Sequence, residues 1–273
     1  MKFIDGDFFE GLADFSFGDM YTNPINPSVK ILRDVKGLIL NEIPVFFIET
    51  HRIFSLISCV EQVDFDVIII THNSDFGIPD TIKSFPPNIK KIFSQNYIGN
   101  HPIIDPIPIG LERTLWFPER NKQAKIRKIL ENVPNKKDLL YCNFDLNTNP
   151  IRKEWYESIN KHLDIDMGNN LSDGFDSYIQ NLSNAKFTIS PPGNGADCHR
   201  NWESLYVQSV PVIADNLFNR SVFYDLPCVF IERKNINNIY DILIDRKDEV
   251  YDFSSPKLGA EYWKTQLENE KNN

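Results

Sequence analysis

Cysteine is scarce in this chain. Four occur among 273 residues, Cys59, Cys142, Cys198 and Cys228, spaced 83, 56 and 30 positions apart. No CxxC pair exists, which excludes zinc ribbons and thioredoxin-type redox sites and leaves too few thiols for a dense disulfide framework. Four reduced structural thiols are expected. No His/Cys cluster has zinc spacing. Long apolar runs are missing too: the longest, such as Val67–Ile70, have the length of a buried strand and fall far short of the ~18 residues of a membrane span. Basic charge is in deficit. The 29 Lys and Arg against 38 Asp and Glu give a net charge of −9, and both halves are acidic. Such a chain lacks the broad positive field that draws nucleic acid or an anionic membrane, so neither nucleic-acid binding nor membrane insertion is expected. The opening MKFIDGDFFE turns acidic at its fifth residue. That predicts no signal peptide and, with the missing span, a soluble cytoplasmic protein. Internal repeats and low-complexity tracts are absent as well.

What is present is a globular composition, 41% hydrophobic and 25% charged. Residues up to about Pro27 read as irregular structure or a short edge element. From Val29 onward, helical spacing alternates with short apolar runs. Strands are expected at Pro44–Ile48, Phe65–Thr71 and Ile89–Ser94, with another ending in Ile107–Gly110; helices are expected at His51–Cys59 and Asn121–Asn132. The alternation resets near Val133–Asp138. Strands then follow at Asp138–Phe144, Phe187–Ser190, Val210–Ala214 and Cys228–Glu232. Helices are expected from Pro150 to His162, Asp176 to Asn184, Cys198 to Ser209, Ile236 to Ile244 and Ala260 to Glu270. Strands alternating with helices imply parallel sheets covered on both faces, and the reset implies two α/β domains. The expected boundaries are 1–135, 136–255 and a C-terminal helical segment 256–273, for which a crossing back to the first domain is one expectation.

The densest chemistry lies in Phe187–Ala214, FTISPPGNGADCHRNWESLYVQSVPVIA. A strand stops at Pro191–Pro192, Gly193-Asn194-Gly195 makes a turn, and a helix opens near Asp197. Parallel sheets bind ligands at the carboxyl ends of their strands. A glycine-rich turn lets backbone N–H groups approach a phosphate, and a helix N-terminus adds partial positive charge. Arg200 in the first turn could grip phosphate oxygens in a bidentate fashion. Glu203 falls on the same face, where a carboxylate suits two ribose hydroxyls; a plain Arg200–Glu203 ion pair is the alternative that strand, turn and helix together disfavour. His199 suits either capping or ligand contact. Arg152, in the first turn of the helix after Pro150, is a second candidate for phosphate or a solvated side chain.

These residues resemble a known family. SPPGNGADCHRNWESLYVQSVPVI is similar to the donor-binding motif of exostosin-like glycosyltransferases, where a Ser/Pro-Gly-x-Gly turn leads into a helix with Arg and Glu and then an apolar Val-Pro-Val-Ile strand. Asn96 with Pro108–Leu111 resembles the end of that family's N-terminal domain, and Asn143–Phe144 with Asn149–Arg152 the start of its C-terminal one. The likeness covers about residues 45–265 in outline and is specific over 187–214. It is nearest the compact xylosyltransferase-like branch; the anchor and stem of the long members have no counterpart, so Golgi residence is not expected. The resemblance implies a GT-B architecture, two Rossmann-like domains facing across a cleft. It also implies an inverting, metal-independent transfer from a UDP-sugar bound to the C-terminal domain to a glycan acceptor on the N-terminal one. Xylose is the first choice of sugar. A non-catalytic nucleotide-sugar or glycan-binding module, or a nucleotide-sugar hydrolase or epimerase, are the alternatives.

No metal and no other cofactor are expected. Of two Asp-x-Asp triplets, Asp64–Asp66 precedes its strand, and Asp164–Asp166 follows a helix. Inverting transfer needs a base for the acceptor hydroxyl. Asp75, on Thr71–Asp75 after the strongest strand of the first half, is the first choice, with His72 and Glu49 next, His51 beside Glu49, and His101 and Glu112 weaker. Trp116 could be a sugar platform but fits core packing better, and Tyr262 and Trp263 lie in the last helix.

Overall fold

The computed structural model describes residues 2–21, 23–39, 41–82, 84–116, 118–163 and 174–271. It contains two compact units, Met1–Ile109 with Gly259–Asn273, and Gly110–Leu258. Among the described residues no helix is long and apolar enough to cross a membrane.

The first unit holds a five-stranded parallel sheet whose strands follow one another in chain order: β1 (Phe15–Ser16), β2 (Val45–Glu49), β3 (Val67–His72), β4 (Ile89–Ser94) and β5 (Ile104–Pro106). Every residue of β2 and β3 is buried, as apolar runs without alternation require. Right-handed crossovers advancing in one direction place their helices on one face. That face packs Phe46, Ile48, Val67, Ile69 and Ile92 against Leu32 and Val35 of α2 (Val29–Leu38) and Leu56 and Val60 of α3 (Ile53–Val60). The other side is covered by residues that the sequence presents as irregular. Helix α1 (Gly6–Glu10), capped by Asp5 accepting from the Phe8 amide at 2.7 Å, packs on β3. Phe9 of α1 meets Trp263 of the C-terminal helix Ala260–Lys271 edge-on at 6.5 Å, and the Ala260 amide donates to the Lys2 carbonyl at 3.0 Å. The N-terminal stretch is thus core, with Phe3, Ile4, Phe8, Phe9 and Phe17 buried.

The second unit begins with α4 (Lys122–Leu130) and builds a four-stranded parallel sheet, again in chain order: β6 (Asp138–Cys142), β7 (Ala185–Ile189), β8 (Val210–Ala214) and β9 (Val229–Ile231). Its helices are α5 (Ile151–Asn160), α6 (Phe175–Asn184), α7 (His199–Tyr206), α8 (Leu217–Phe223) and α9 (Ile239–Asp245). One face packs Phe187, Ile189, Val210 and Val212 with Trp155 and Ile159 of α5 and Leu243 of α9. Helix α8 is absent from the sequence expectation; Asn216 caps it, accepting from the Asn219 amide, and Phe218, Val222 and Phe223 are buried.

Three expectations are corrected. The compact units divide at Ile109/Gly110, not at 135/136, because α4 packs on α6 and α7. The strand expected to end in Ile107–Gly110 ends at Pro106, and Gly110 has a positive φ of 67° that an extended strand excludes. The helix from Cys198 ends at Tyr206, and Gln208 turns left-handed at φ 59° ahead of β8.

Candidate functional site

A parallel sheet has one edge from which every strand's carboxyl end emerges, and loops gather there. In the second unit that edge carries the segment after β7. Asp197 fixes the start of α7. Its Oδ1 accepts from the Cys198 amide at 2.8 Å and from Asn201 Nδ2 at 2.9 Å, and its Oδ2 accepts from Trp202 Nε1 at 2.8 Å. Asn201 Oδ1 in turn accepts from Ser190 Oγ at 2.5 Å, tying the helix to the strand end.

Arg200 is the second residue of this fixed helix. Its Nε and Nη1 are buried and have no hydrogen-bond partner. Its guanidinium carbon stands 5.6 Å from the centre of the Phe144 ring, and that of Arg152 stands 5.7 Å from the same ring. Arg152 is engaged with backbone: Nε donates to Pro192 O at 2.9 Å and Nη1 to Asp145 O at 2.9 Å. Burial first, then the Arg200 charge, hold Arg152 below its ordinary guanidinium value. Two guanidinium groups against one ring repel each other, and an anion relieves that repulsion.

The glycine turn contributes closeness. Neither Gly193 nor Gly195 has a positive φ. A Cβ at Gly193 would approach Arg152 Nη2 to 3.1 Å and Cys198 Sγ to 3.6 Å, so a larger residue would press on the guanidinium. The Gly193 carbonyl accepts from Asn149 Nδ2 at 2.8 Å. Asn194 is exposed and Gly195 half-buried. His199 donates from Nδ1 to the Gly110 carbonyl at 2.8 Å, so its proton sits on Nδ1. The chain matches no protein-family model and no curated protein.

Glu203 does not pair with Arg200. It is buried, and Oε1 accepts from Lys122 Nζ at 2.9 Å while Oε2 accepts from the Tyr178 hydroxyl at 2.7 Å. Lys122 also lies 3.3 Å from Glu112, which accepts from Arg120 at 2.9 Å. Desolvation, the largest single influence, would raise the Glu203 carboxyl; Lys122, the Tyr178 hydroxyl and His199 together outweigh it and leave the group below its ordinary value. The same burial, followed by Glu203, pushes the Tyr178 hydroxyl well up. Glu203 therefore anchors α7 to α4 and α6, and its oxygens are already engaged where ribose contacts were expected. All four cysteines are free, and burial raises the thiols of Cys198 and Cys228 and takes that of Cys142 to about 12, far from a nucleophile's range.

The carboxyl edge of the first unit holds the three candidate bases. Glu49 and His72 are register partners at the ends of β2 and β3. Glu49 is 1% exposed; Oε2 accepts from the Met20 amide at 3.1 Å and lies 3.3 Å from His51 Nε2. Desolvation raises its carboxyl above the ordinary value, His51 opposes that, and Asp19 adds to it. His72 is locked in place. Nδ1 lies 2.9 Å from Asn73 Oδ1, Nε2 lies 3.0 Å from Pro108 O, and the ring stacks on Phe9 at 5.1 Å. Both ring nitrogens face acceptors, which leaves neither to take a substrate proton. Asp75 sits farther out, exposed on the following turn.

Sequence reasoning missed Asp19, Asn73 and Gln95. Asn73 Nδ2 donates to Asp19 Oδ2 at 3.0 Å, and the Asn73 amide donates to Gln95 Oε1 at 2.8 Å. Nothing local in the sequence marks Asp19: its burial and its bond to Asn73 arise only in the fold. Of the weaker candidates, His101 packs edge-on against Phe85, and Trp116 belongs to the second unit beneath Arg113 at 5.7 Å. Asp66 pairs with Lys90 at 3.2 Å ahead of β3. The Asp164–Asp166 triplet lies outside the described residues. Among the described residues no three His, Cys, Asp or Glu side chains group as metal ligands.

Proposed function

We propose that the protein is an inverting, metal-independent glycosyltransferase of GT-B type, moving a sugar from a UDP-sugar to a glycan hydroxyl, with xylose the first sugar to test. The observation that carries the reading is Arg200: a cation held by a fixed helix at the carboxyl edge, beside a second cation, with two buried N–H groups that bond nothing in the protein. A diphosphate supplies the oxygens such donors require. The resemblance of 187–214 to the exostosin-like donor motif points to the same ligand. The GT-B assignment gives the donor to the second unit and the acceptor to the first.

In this mechanism a carboxylate of the first unit takes the proton of the acceptor hydroxyl. The hydroxyl oxygen attacks the anomeric carbon opposite the diphosphate, and the bond from that carbon to the phosphate oxygen breaks with its electrons on the departing UDP. Arg200, Arg152 and the amides at the start of α7 stabilise the leaving charge. Among the three candidate bases Glu49 takes first place from Asp75, because a carboxyl raised by burial holds a proton better near neutral pH. His72 drops out on geometry.

Calorimetric titration with UDP tests the donor site. Arg200→Ala is expected to weaken UDP by about 1.5–3 kcal/mol, the worth of a hydrogen bond to a charged group. Unchanged affinity would place the site elsewhere. Incubation with UDP-xylose and other UDP-sugars, with and without glycan acceptors, separates transfer from hydrolysis; sugar release independent of acceptor would favour the hydrolase alternative.

A further inference from the structure

The second unit has a cavity at the edge of its sheet opposite Arg200, where the strands begin. Asp138, Lys186 and Val210 line it, at or next to the first residues of β6, β7 and β8, and its volume is about 610 Å³. That is room for a small organic ligand. Lys136, half-buried, lies on its wall. The neighbouring Lys137 amide donates to Asn184 O at 2.8 Å, which fixes the backbone beside it. The Lys136 side chain closes two helices at once. Its Nζ donates to Ser183 O in the last turn of α6 at 2.7 Å, and to Val207 O just past the end of α7 at 3.1 Å. Carbonyls at a helix end have no amide partner within the helix, so a lysine there takes the place of one.

No carboxylate stands with this amine among the described residues, and burial alone pushes it down from 10.5 to about 8. The other charged groups on the cavity are Lys137, Lys186, Lys247, Asp138, Asp248 and Glu249. Glu249 is taken up by the Tyr251 hydroxyl at 2.7 Å and by Arg246 at 3.4 Å. Lys186 bonds the carbonyls of Lys247 and Glu249, and it has two ring faces besides, Phe187 at 5.6 Å and Tyr251 at 5.7 Å. Lys136 has only its two carbonyls. At pH 7 an amine at about 8 is unprotonated in about one molecule in ten, against about one in 3,000 at 10.5. The neutral amine gives its two N–H groups to the two carbonyls and keeps a lone pair for an electrophile.

We propose that Lys136 is an acylation site, taking its acyl group from a small acyl phosphate in this cavity, and that the modification uncaps α6 and α7. The lone pair of Nζ attacks the acyl carbon. The bond from that carbon to the phosphate oxygen breaks with its electrons on the departing phosphate, and the surplus proton on nitrogen passes to solvent. The amide left behind has one N–H, so at most one of the two carbonyls keeps its donor. The site stands independently of the glycosyltransferase reading. Acetyl phosphate applied to the full chain at pH 7, followed over time by peptide mass spectrometry, tests it. Lys136 is expected to acetylate about tenfold faster than its exposed neighbour Lys137, its larger share of free amine being partly offset by lower basicity. Its rate should level off above about pH 8. Lys136→Arg should keep both carbonyl bonds and the wild-type melting temperature, and Lys136→Gln, with the uncharged amide of the acylated side chain, should melt lower. Acetylation of Lys136 no faster than that of Lys137, or only after urea has unfolded the chain, would overturn the acylation site. An unchanged melting temperature in Lys136→Gln would overturn the uncapping.

Discussion

Replacing Arg200 by methionine keeps the length of the side chain beside Phe144 and removes two buried donors that have no partner. Buried donors without partners cost stability. Arg200→Met is therefore expected to melt at or above the wild-type temperature while losing UDP. Arg152→Met should behave in the opposite way, since it orphans the carbonyls of Pro192 and Asp145 and costs about 2–3 kcal/mol. Urea denaturation of both variants checks the contrast; equal stabilities would mean that the two guanidinium groups share one role. Glu49 offers a related test. Its folded value lies above the ordinary 4.5, so the folded state binds its proton more tightly than the unfolded chain does. The ionised carboxylate then costs stability, and that cost grows as pH rises from about 4.5 through the raised folded value. Glu49→Gln should accordingly be more stable than wild type at pH 7 and converge with it in acid, while turnover falls by ~10²–10⁴ as for loss of a general base. Asp75→Asn should leave turnover within a few-fold. The reverse pair of results would restore Asp75 as the base.

Helix α4 is held to α6 and α7 through buried charge. Lys122 bridges Glu203 and Glu112, and Lys122→Met leaves the Glu203 carboxylate buried without its cation, a loss of about 3–5 kcal/mol. Glu203→Gln in the same chain should recover part of it. The acid limb follows from Glu203. Its folded value is depressed, so its contribution is complete above the unfolded value near 4.5 and disappears as pH falls through the lower folded one. Thermal melts of wild type and the double variant between pH 3 and 7 would show the difference, and parallel curves would contradict the pairing. None of this was legible in the sequence. Lys122 lies 81 residues from Glu203 and Tyr178 lies 25 away, and no local period links them; the Arg200–Glu203 spacing instead invited an ion pair that the helix does not make. By contrast β2 and β3 were legible to within about two residues, since strands buried on both faces are nearly continuous apolar runs. The donor-side residues stood out because proline, glycine and arginine crowd into one contiguous segment. Asp19 stayed hidden because its role depends on Asn73, 54 residues on.

At the scale of the molecule, the reset of alternation near residue 135 marks where a new strand begins. The compact unit starts earlier, at Gly110, because α4 is gathered into it by side-chain contacts that no composition shift announces. The proposed chemistry also makes a demand on the whole chain. A protein of net charge −9 that binds a diphosphate relies on local cations against its own field, so UDP affinity in Arg200→Ala should fall further than surface lysine substitutions would cause. Turnover should survive excess EDTA, because Arg200, Arg152 and backbone amides neutralise the leaving group; abolition by EDTA with recovery on adding manganese would refute metal independence. The two units also differ in how the ribosome delivers them. Residues 110–258 emerge as one uninterrupted stretch, whereas the first unit includes the helix Ala260–Lys271, whose Trp263 packs on Phe9. During synthesis the second-born unit can complete its fold while the first-born still awaits its closing piece, which reverses the usual N-terminal-first order of domain maturation.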